Sequence, residues 1–295
     1  MKPREGGMMS PDVVAVLPKN VRSALQDALR TLPGNEAARV WAPANEGALN
    51  HVVLIETPHG RSVFRMRRES SSAEIFAYLN ATYQCTGFPE LGGIFGLRSI
   101  EDEVAFMRRA LARGLPVAQV LRDGGDWMLI EFIDGRTAYA SVKEGDLSVV
   151  TKVVETLRAA HQQGVIYGDR WGDNEFIDRY GRVRLIDFDV EWTLAKSRSD
   201  PRMGILEALE VAVYLFHTLR LTSDRRGMLQ LTSNRIAPQL RAWSYDMECV
   251  SEFVRGLARF YLDQNKPVNA WSGSASLYRA LPEPAGELVR LLRTA

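Results

Sequence analysis

Residues 161–192 read HQQGVIYGDRWGDNEFIDRYGRVRLIDFDVEW, and this stretch decides the fold. A helix is expected to end at His161-Gln162-Gln163-Gly164, since glycine commonly stops a helix. Val165-Ile166 then lead into a polar loop holding Asp169, Asp173 and Asn174. Glu175–Asp178 and Val183–Ile186 alternate as the arms of a hairpin around Arg179-Tyr180-Gly181, and Asp187 stands at the end of the second arm. Taken singly, these acids and amides suit an ordinary solvated turn. Their order (helix, acid-bearing loop, hairpin, acid) points to chemistry instead.

That order resembles the catalytic and metal-binding loops of the protein-kinase-like superfamily. The family pattern is His-x-Asp, four residues, Asn, a hairpin and Asp-Phe-Gly. The spacing from Asp169 to Asn174 matches it, as does Asp187-Phe188. Phosphoryl transfer spreads negative charge over non-bridging oxygens, so Mg²⁺ must be held against the phosphates by hard oxygen ligands. The resemblance implies Asp187 and Asn174 as the metal ligands. It implies Asp169 as the group that accepts or orients the proton of an attacking hydroxyl, with Arg170 and Asp173 tuning the loop.

Working upstream, DWMLIEFIDG (126–135) reads as a strand and turn, and VAQVLRD (117–123) as the strand before it. In the resemblance the former is the hinge between the lobes. Ile130 is then the gatekeeper, and the backbones of Glu131 and Ile133 meet adenine. NHVVLIETPHGRSVFRMRR (50–68) reads as two strands (51–57 and 61–67) turning at Pro58-His59-Gly60. It is similar to the second and third strands of aminoglycoside phosphotransferases and of choline or ethanolamine kinases. Val63 and Arg65 occupy the Ala-x-Lys positions, so Arg65 takes the place of the phosphate-holding lysine. Arginine offers a fork for phosphate, although its geometry differs from lysine's.

A helix is expected from Ser99 to Arg113, with Ile100, Glu103, Met107 and Leu111 on one face. Glu103 lies on that apolar stripe, where a lone carboxylate would be costly, and is the chosen partner for Arg65, with Glu74 as its rival. Elsewhere the reading gives an N-terminal helical region over 11–31 interrupted near Pro18, a strand at 38–42, and a helix over 70–83 closed by CTGFPELGGIFG. Further helices are read at 145–163, 203–220, 247–264 and 284–293.

The sum is an α+β, bilobal protein-kinase-like fold. It comprises an N-terminal helical extension (1–37), a small antiparallel-sheet N-lobe (38–133) and a larger helical C-lobe (134–295).

The chain departs from the family pattern in four places. Between the first two strands only Gly47 remains of a glycine-rich phosphate loop. Tyr167-Gly168 replaces His-Arg ahead of the loop, Asp189 replaces the glycine of Asp-Phe-Gly, and no Ala-Pro-Glu follows. Only residues 136–168 separate Gly135 from Asp169, which is compact beside the aminoglycoside and choline kinases. That compactness is closer to lipopolysaccharide-core sugar kinases, whose loop can also read Ile-Asp-Phe-Asp, or to minimal protein-kinase relatives. In the resemblance an acidic residue of the following helix braces the loop, a place that Glu207, Glu210 or neither fills here.

Composition sets the outer bounds. A chain of 295 residues with 46% hydrophobic and 25% charged residues is globular in character rather than disordered or collagen-like. Apolar runs fall short of the roughly 20 residues of a spanning helix, and MKPREGGMMSPD lacks the apolar core of a secretory signal. Cys85 and Cys249 are the only cysteines, as suits a reducing, cytoplasmic setting. The four histidines lack zinc-ligand spacing. A net charge of +1 does not advertise nucleic acid. The expected activity is an ATP- and Mg²⁺-dependent transfer to the hydroxyl of a small molecule or sugar. A Ser/Thr protein kinase is the second reading, and a pseudokinase scaffold the third.

Overall fold

The computed structural model describes residues 14, 16–43, 49–68, 72–194, 200, 202–262 and 281–294. The chain divides into two compact units, 1–75 with 98–133, and 76–97 with 134–295.

In the first unit, alternation makes the sheet. Strands β1 (Arg39–Trp41), β2 (Asn50–Thr57) and β3 (Gly60–Arg67) are joined by β5 (Val120–Asp123) and β6 (Trp127–Glu131), as numbered in chain order. The sheet order is β1-β2-β3-β6-β5, antiparallel throughout. One face carries Val53, Ile55, Phe64, Met66, Trp127 and Leu129. Helix α1 (Lys19–Arg30) covers it, because Val21, Ala24, Leu25 and Ala28 recur at helical spacing as a single apolar stripe. Pro18 sits at the N-cap of α1, where a missing N–H costs no intrahelical bond. Period two turns Arg65 to the opposite face, opposite Met128 in the ladder. Helix α3 (Ile100–Ala112) packs near β5 and β6 and buries Ile100, Glu103, Val104, Met107 and Ala110. The strand read over 117–123 is shorter than expected. Pro116 cannot donate to a ladder, and Val117 turns back to bond the Leu115 carbonyl.

The second unit begins within helix α2 (Ser72–Cys85), from Phe76 onward. Residues 76–97, read from sequence as part of the small lobe, pack with this unit. The reason is strand β4 (Ile94–Leu97), which pairs antiparallel with β10 (Val190–Thr193) and sets Phe95 opposite Trp192. A second small sheet joins β7 (Gly135–Thr137), β8 (Glu175–Asp178) and β9 (Val183–Leu185) in that order. Gly135 is needed there, since a Cβ would lie 2.2 Å from the Ile177 carbonyl oxygen.

Helices fill the remainder: α4 (Ala138–Lys143), α5 (Ser148–His161), α6 (Met203–Leu221), α7 (Arg225–Leu231), α8 (Ala237–Ala242), α9 (Met247–Leu262) and α10 (Pro282–Thr294). Helix α6 is buried almost all round from Leu206 to Arg220, which makes it the axis of the unit, and α9 packs against both α6 and α10. Strands β4, β7 and β10 and helices α4, α7 and α8 go beyond the sequence reading. Each is short, so periodicity has few residues to reveal it. No helix among the described residues is long and apolar enough to cross a membrane.

Candidate active site

The loop after α5 is held from behind. Glu210 of α6 is fully buried, and its Oε1 accepts the N–H of Gly168 at 2.7 Å. Its Oε2 faces Nε2 of His161 at 2.6 Å, while Nδ1 of His161 meets the Tyr245 hydroxyl at 2.6 Å. A carboxylate only accepts, so Nε2 is the donor toward Glu210. Gly168 has φ +100°, and a Cβ there would stand 2.2 Å from the Val190 carbonyl oxygen. This is the physical reason that glycine replaces a side chain ahead of Asp169.

Arg170 draws the front of the loop together. It is fully buried, and its Nη1 donates to the Ile186 carbonyl at 2.9 Å while its Nη2 donates to the Asp187 carbonyl. Its guanidinium also lies over the Phe188 ring, 5.0 Å from the centroid, and 3.6 Å from Glu175. Asn174 closes the circuit. Its Nδ2 donates to the Asp169 carbonyl at 3.0 Å, and its own carbonyl accepts Ile186 N–H at 3.0 Å. Asp187 sits at φ +61°, a left-handed conformation that aspartate and asparagine tolerate better than most residues. The structure thus brings Asp169, Asn174 and Asp187 into one place.

Electrostatics there are tense. Burial raises the Asp169 carboxyl above its usual range; the Tyr83 hydroxyl and Arg170 oppose the rise, and the charge of Asp187 adds to it. Burial likewise pushes Glu175 up to about 7, against Arg170 and a 2.6 Å hydrogen bond from the Gly172 N–H. Asp173 is raised by burial and eased by Thr137.

The Asp187 carboxylate, close enough to Asp169 to repel it, and the Asn174 amide, whose nitrogen is already committed, offer hard oxygen donors. That set suits a small divalent cation such as Mg²⁺. Among the described residues no group of three or more His, Cys, Asp or Glu is arranged to hold a metal, so the buried Asp189 does not complete an all-acid cluster.

In the first unit, Arg65 Nη1 meets Glu103 Oε1 at 2.8 Å with both residues buried, and Arg67 Nη2 approaches the other carboxylate oxygen at 3.9 Å. Ser99 caps α3 by accepting Asp102 N–H, which fixes where Glu103 enters. The side chain of Glu74 and all of Gly47 lie outside the described residues. Ile130 and Ile133 are buried. The Glu131 N–H is already given to the Gln119 carbonyl at 2.9 Å, and its carboxylate accepts Gln119 N–H at 2.7 Å. That narrows the expected adenine contact of Glu131 to its carbonyl, because the residue just ahead of β5 takes this donor.

No family model matches the sequence. Among curated proteins, serine/threonine-protein kinase SMU1 of Mycosarcoma maydis is 24% identical over 174 residues. The match takes in 56% of this chain and 21% of that protein, so the chain spans about a fifth of its relative's length. Among solved structures, an ethanolamine kinase of Plasmodium vivax superposes with a TM-score of 0.52 at 8% identity, covering 98% of this chain and 96% of its own. The fold is protein-kinase-like. The Rio2 kinase of Chaetomium thermophilum aligns more loosely, at a TM-score of 0.42 and 14% identity over 75% of this chain and 67% of its own.

In kinase-fold terms the first unit supplies the antiparallel sheet of the small lobe, and the second the helical part. The sequence reading left Glu207 and Glu210 open as the brace; Glu210 is the one that holds the loop. It missed Tyr83, whose hydroxyl donates to Asp169 Oδ1 at 3.0 Å. No local pattern around Tyr83 announces that contact.

Proposed function

We propose that this chain is an ATP- and Mg²⁺-dependent phosphotransferase that moves the γ-phosphate to a hydroxyl of a small molecule or sugar. The reading is carried by the grouping of Asp169, Asn174 and Asp187 around the buried Arg170. Asp187 and Asn174 would hold the metal, which when bound neutralises charge on the phosphate oxygens. Arg65, steadied by Glu103, would hold the nontransferred phosphates. Ile130 and the backbones of Glu131 and Ile133 would bound the adenine. As the acceptor oxygen bonds to phosphorus, the bond from phosphorus to the ADP oxygen breaks, and the acceptor proton passes to Asp169. The small-molecule acceptor draws support from the third-strand arginine and from a fold shared with an ethanolamine kinase over nearly its whole length.

Two measurements test this. Mg-ATP should raise the melting temperature by mass action, and a panel of hydroxyl acceptors should yield phosphorylated product. Asp187→Asn is the clean variant, because asparagine accepts the same left-handed backbone while losing the charge. It should abolish metal-dependent transfer with little change in stability; wild-type turnover in that variant sinks the assignment.

A Ser/Thr protein kinase is the second reading. It is favoured by the short connection, in which only α4 and α5 lie between β7 and the loop. Autophosphorylation on serine or threonine, without product from the acceptor panel, would decide for it.

A further inference from the structure

We infer that Tyr83 is a positioning residue for Asp169, an inference that rests on the phosphotransfer reading above. Its hydroxyl donates to Asp169 Oδ1 at 3.0 Å.

The placement of that hydroxyl is set by packing on several sides. The Tyr83 ring is almost wholly buried, 5.4 Å from Phe95 of β4 and 5.4 Å, edge-on, from Trp192 of β10. Those two partners are themselves paired across the β4–β10 ladder. One turn earlier on α2, the Tyr78 hydroxyl meets that of Tyr261 on α9 at 2.6 Å. At the end of α2, Gly256 of α9 approaches so closely that a Cβ would lie 2.3 Å from the Cys85 carbonyl oxygen. The excursion 76–97 is thus tied to both α9 and β10. A side chain locked by its neighbours is what holds a reactive group within a narrow angular range.

A buried tyrosine needs some partner for its hydroxyl, and a nearby carbonyl would satisfy it. Here the partner is the carboxylate proposed to receive the acceptor's proton. With Oδ1 held by Tyr83, the carboxylate cannot rotate freely about its last torsion, and Oδ2 is the oxygen left to meet the acceptor hydroxyl. Orientation of this kind is worth large factors in rate, because near-attack geometry is lost with small displacements. The hydroxyl acts on the transfer step and not on nucleotide binding, which gives the inference its signature.

The test uses the full chain and Mg-ATP alone, with water as acceptor, read as ADP release. Tyr83→Phe keeps the ring and removes the hydroxyl. The expected result is a kcat lowered about tenfold or more, a KM for ATP unchanged within about twofold, and a melting temperature within a few degrees of wild type. In an Asp169→Asn background the same change should have no further effect on kcat, since the oxygen to be oriented has lost its role.

If wild type releases ADP and Tyr83→Phe is as fast or faster, the inference fails while the phosphotransfer reading stands. A Tyr83→Phe chain that unfolds, or that slows the Asp169→Asn background equally, also overturns it, because the hydroxyl then serves the fold. Absence from wild type of both Mg-dependent ADP release and product from the hydroxyl-acceptor panel sinks the phosphotransfer reading itself.

Discussion

Glu210 accepts the backbone N–H of Gly168 at 2.7 Å, one residue ahead of Asp169, from the middle of a helix that is otherwise apolar on nearly every side. A glutamate there survives only with its oxygens satisfied, and the second oxygen is taken up by His161. Glu210→Ala would strand a buried amide and a buried imidazole together. The expected loss is about 3 kcal/mol, read as a lower denaturant midpoint. Glu210→Gln retains an acceptor for Gly168 and should lose clearly less. Equal losses for the two would mean that the brace is packing and not hydrogen bonding.

Gly168→Ala should be costly for a different reason. The backbone is at φ +100°, where a side chain is strained, and the new methyl would run into the Val190 carbonyl at 2.2 Å. Backbone must move, since the obstacle is main chain. We expect a loss of more than about 2 kcal/mol, with faster amide exchange along β10. A stability unchanged by this substitution would contradict the tight approach of the loop to β10.

The site was legible in the sequence where its geometry is local. Asp169, Asn174 and Asp187 lie on one continuous loop and hairpin, so their spacing could carry the resemblance to the kinase loops that implied their roles. Glu103 was legible because a lone carboxylate on an apolar stripe is costly, and the resemblance to the third kinase strand named Arg65 as its cation; alternation said only that Arg65 shares a face with Val63. Glu210 was half legible: Glu207 and Glu210 are one turn apart, and only tertiary packing says which faces the loop. Tyr83 was invisible, because its partner lies 86 residues away and its own helix has no strong amphipathic phase to fix which side faces inward. Strand β4 was hidden by Gly92, Gly93 and Gly96, which read as a loop; the β10 ladder overrides that local preference.

Arg65 and Glu103 form a pair that should be far more costly to halve than to remove. Arg65 is 5% exposed and Glu103 is 0% exposed, so either single truncation leaves a desolvated charge behind. Glu103→Ala should cost about 3–5 kcal/mol. The double variant Arg65→Met/Glu103→Leu should recover much of that in urea unfolding, yet lose ATP-induced stabilisation. Arg67, at 3.9 Å, is a secondary contact, and Arg67→Ala should cost less than either member of the pair. A double variant no more stable than Glu103→Ala would refute the pairing as the source of the cost.

His217 on α6 should set part of the pH dependence of stability. Arg220 Nε donates to His217 Nδ1 at 3.2 Å, so that nitrogen must keep its lone pair, and the ring packs edge-on to Phe216 and Tyr261. Burial first, and the Arg220 charge second, hold its pKa well below the ordinary histidine value. The sign follows from which state binds the proton. Above about pH 6.5 both folded and unfolded chains carry a neutral ring and the native state keeps its full stability. As pH falls below that value the unfolded chain takes up a proton that the folded chain refuses, so stability declines by up to about 1.4 kcal/mol per pH unit from this group until the folded pKa is reached. His217→Gln can still accept from Arg220 but cannot titrate. Unfolding free energies at pH 7.5, 6.5 and 5.5 should therefore show a steeper decline for wild type than for the variant. Parallel curves would mean that His217 is protonated as readily in the folded chain as in the unfolded one.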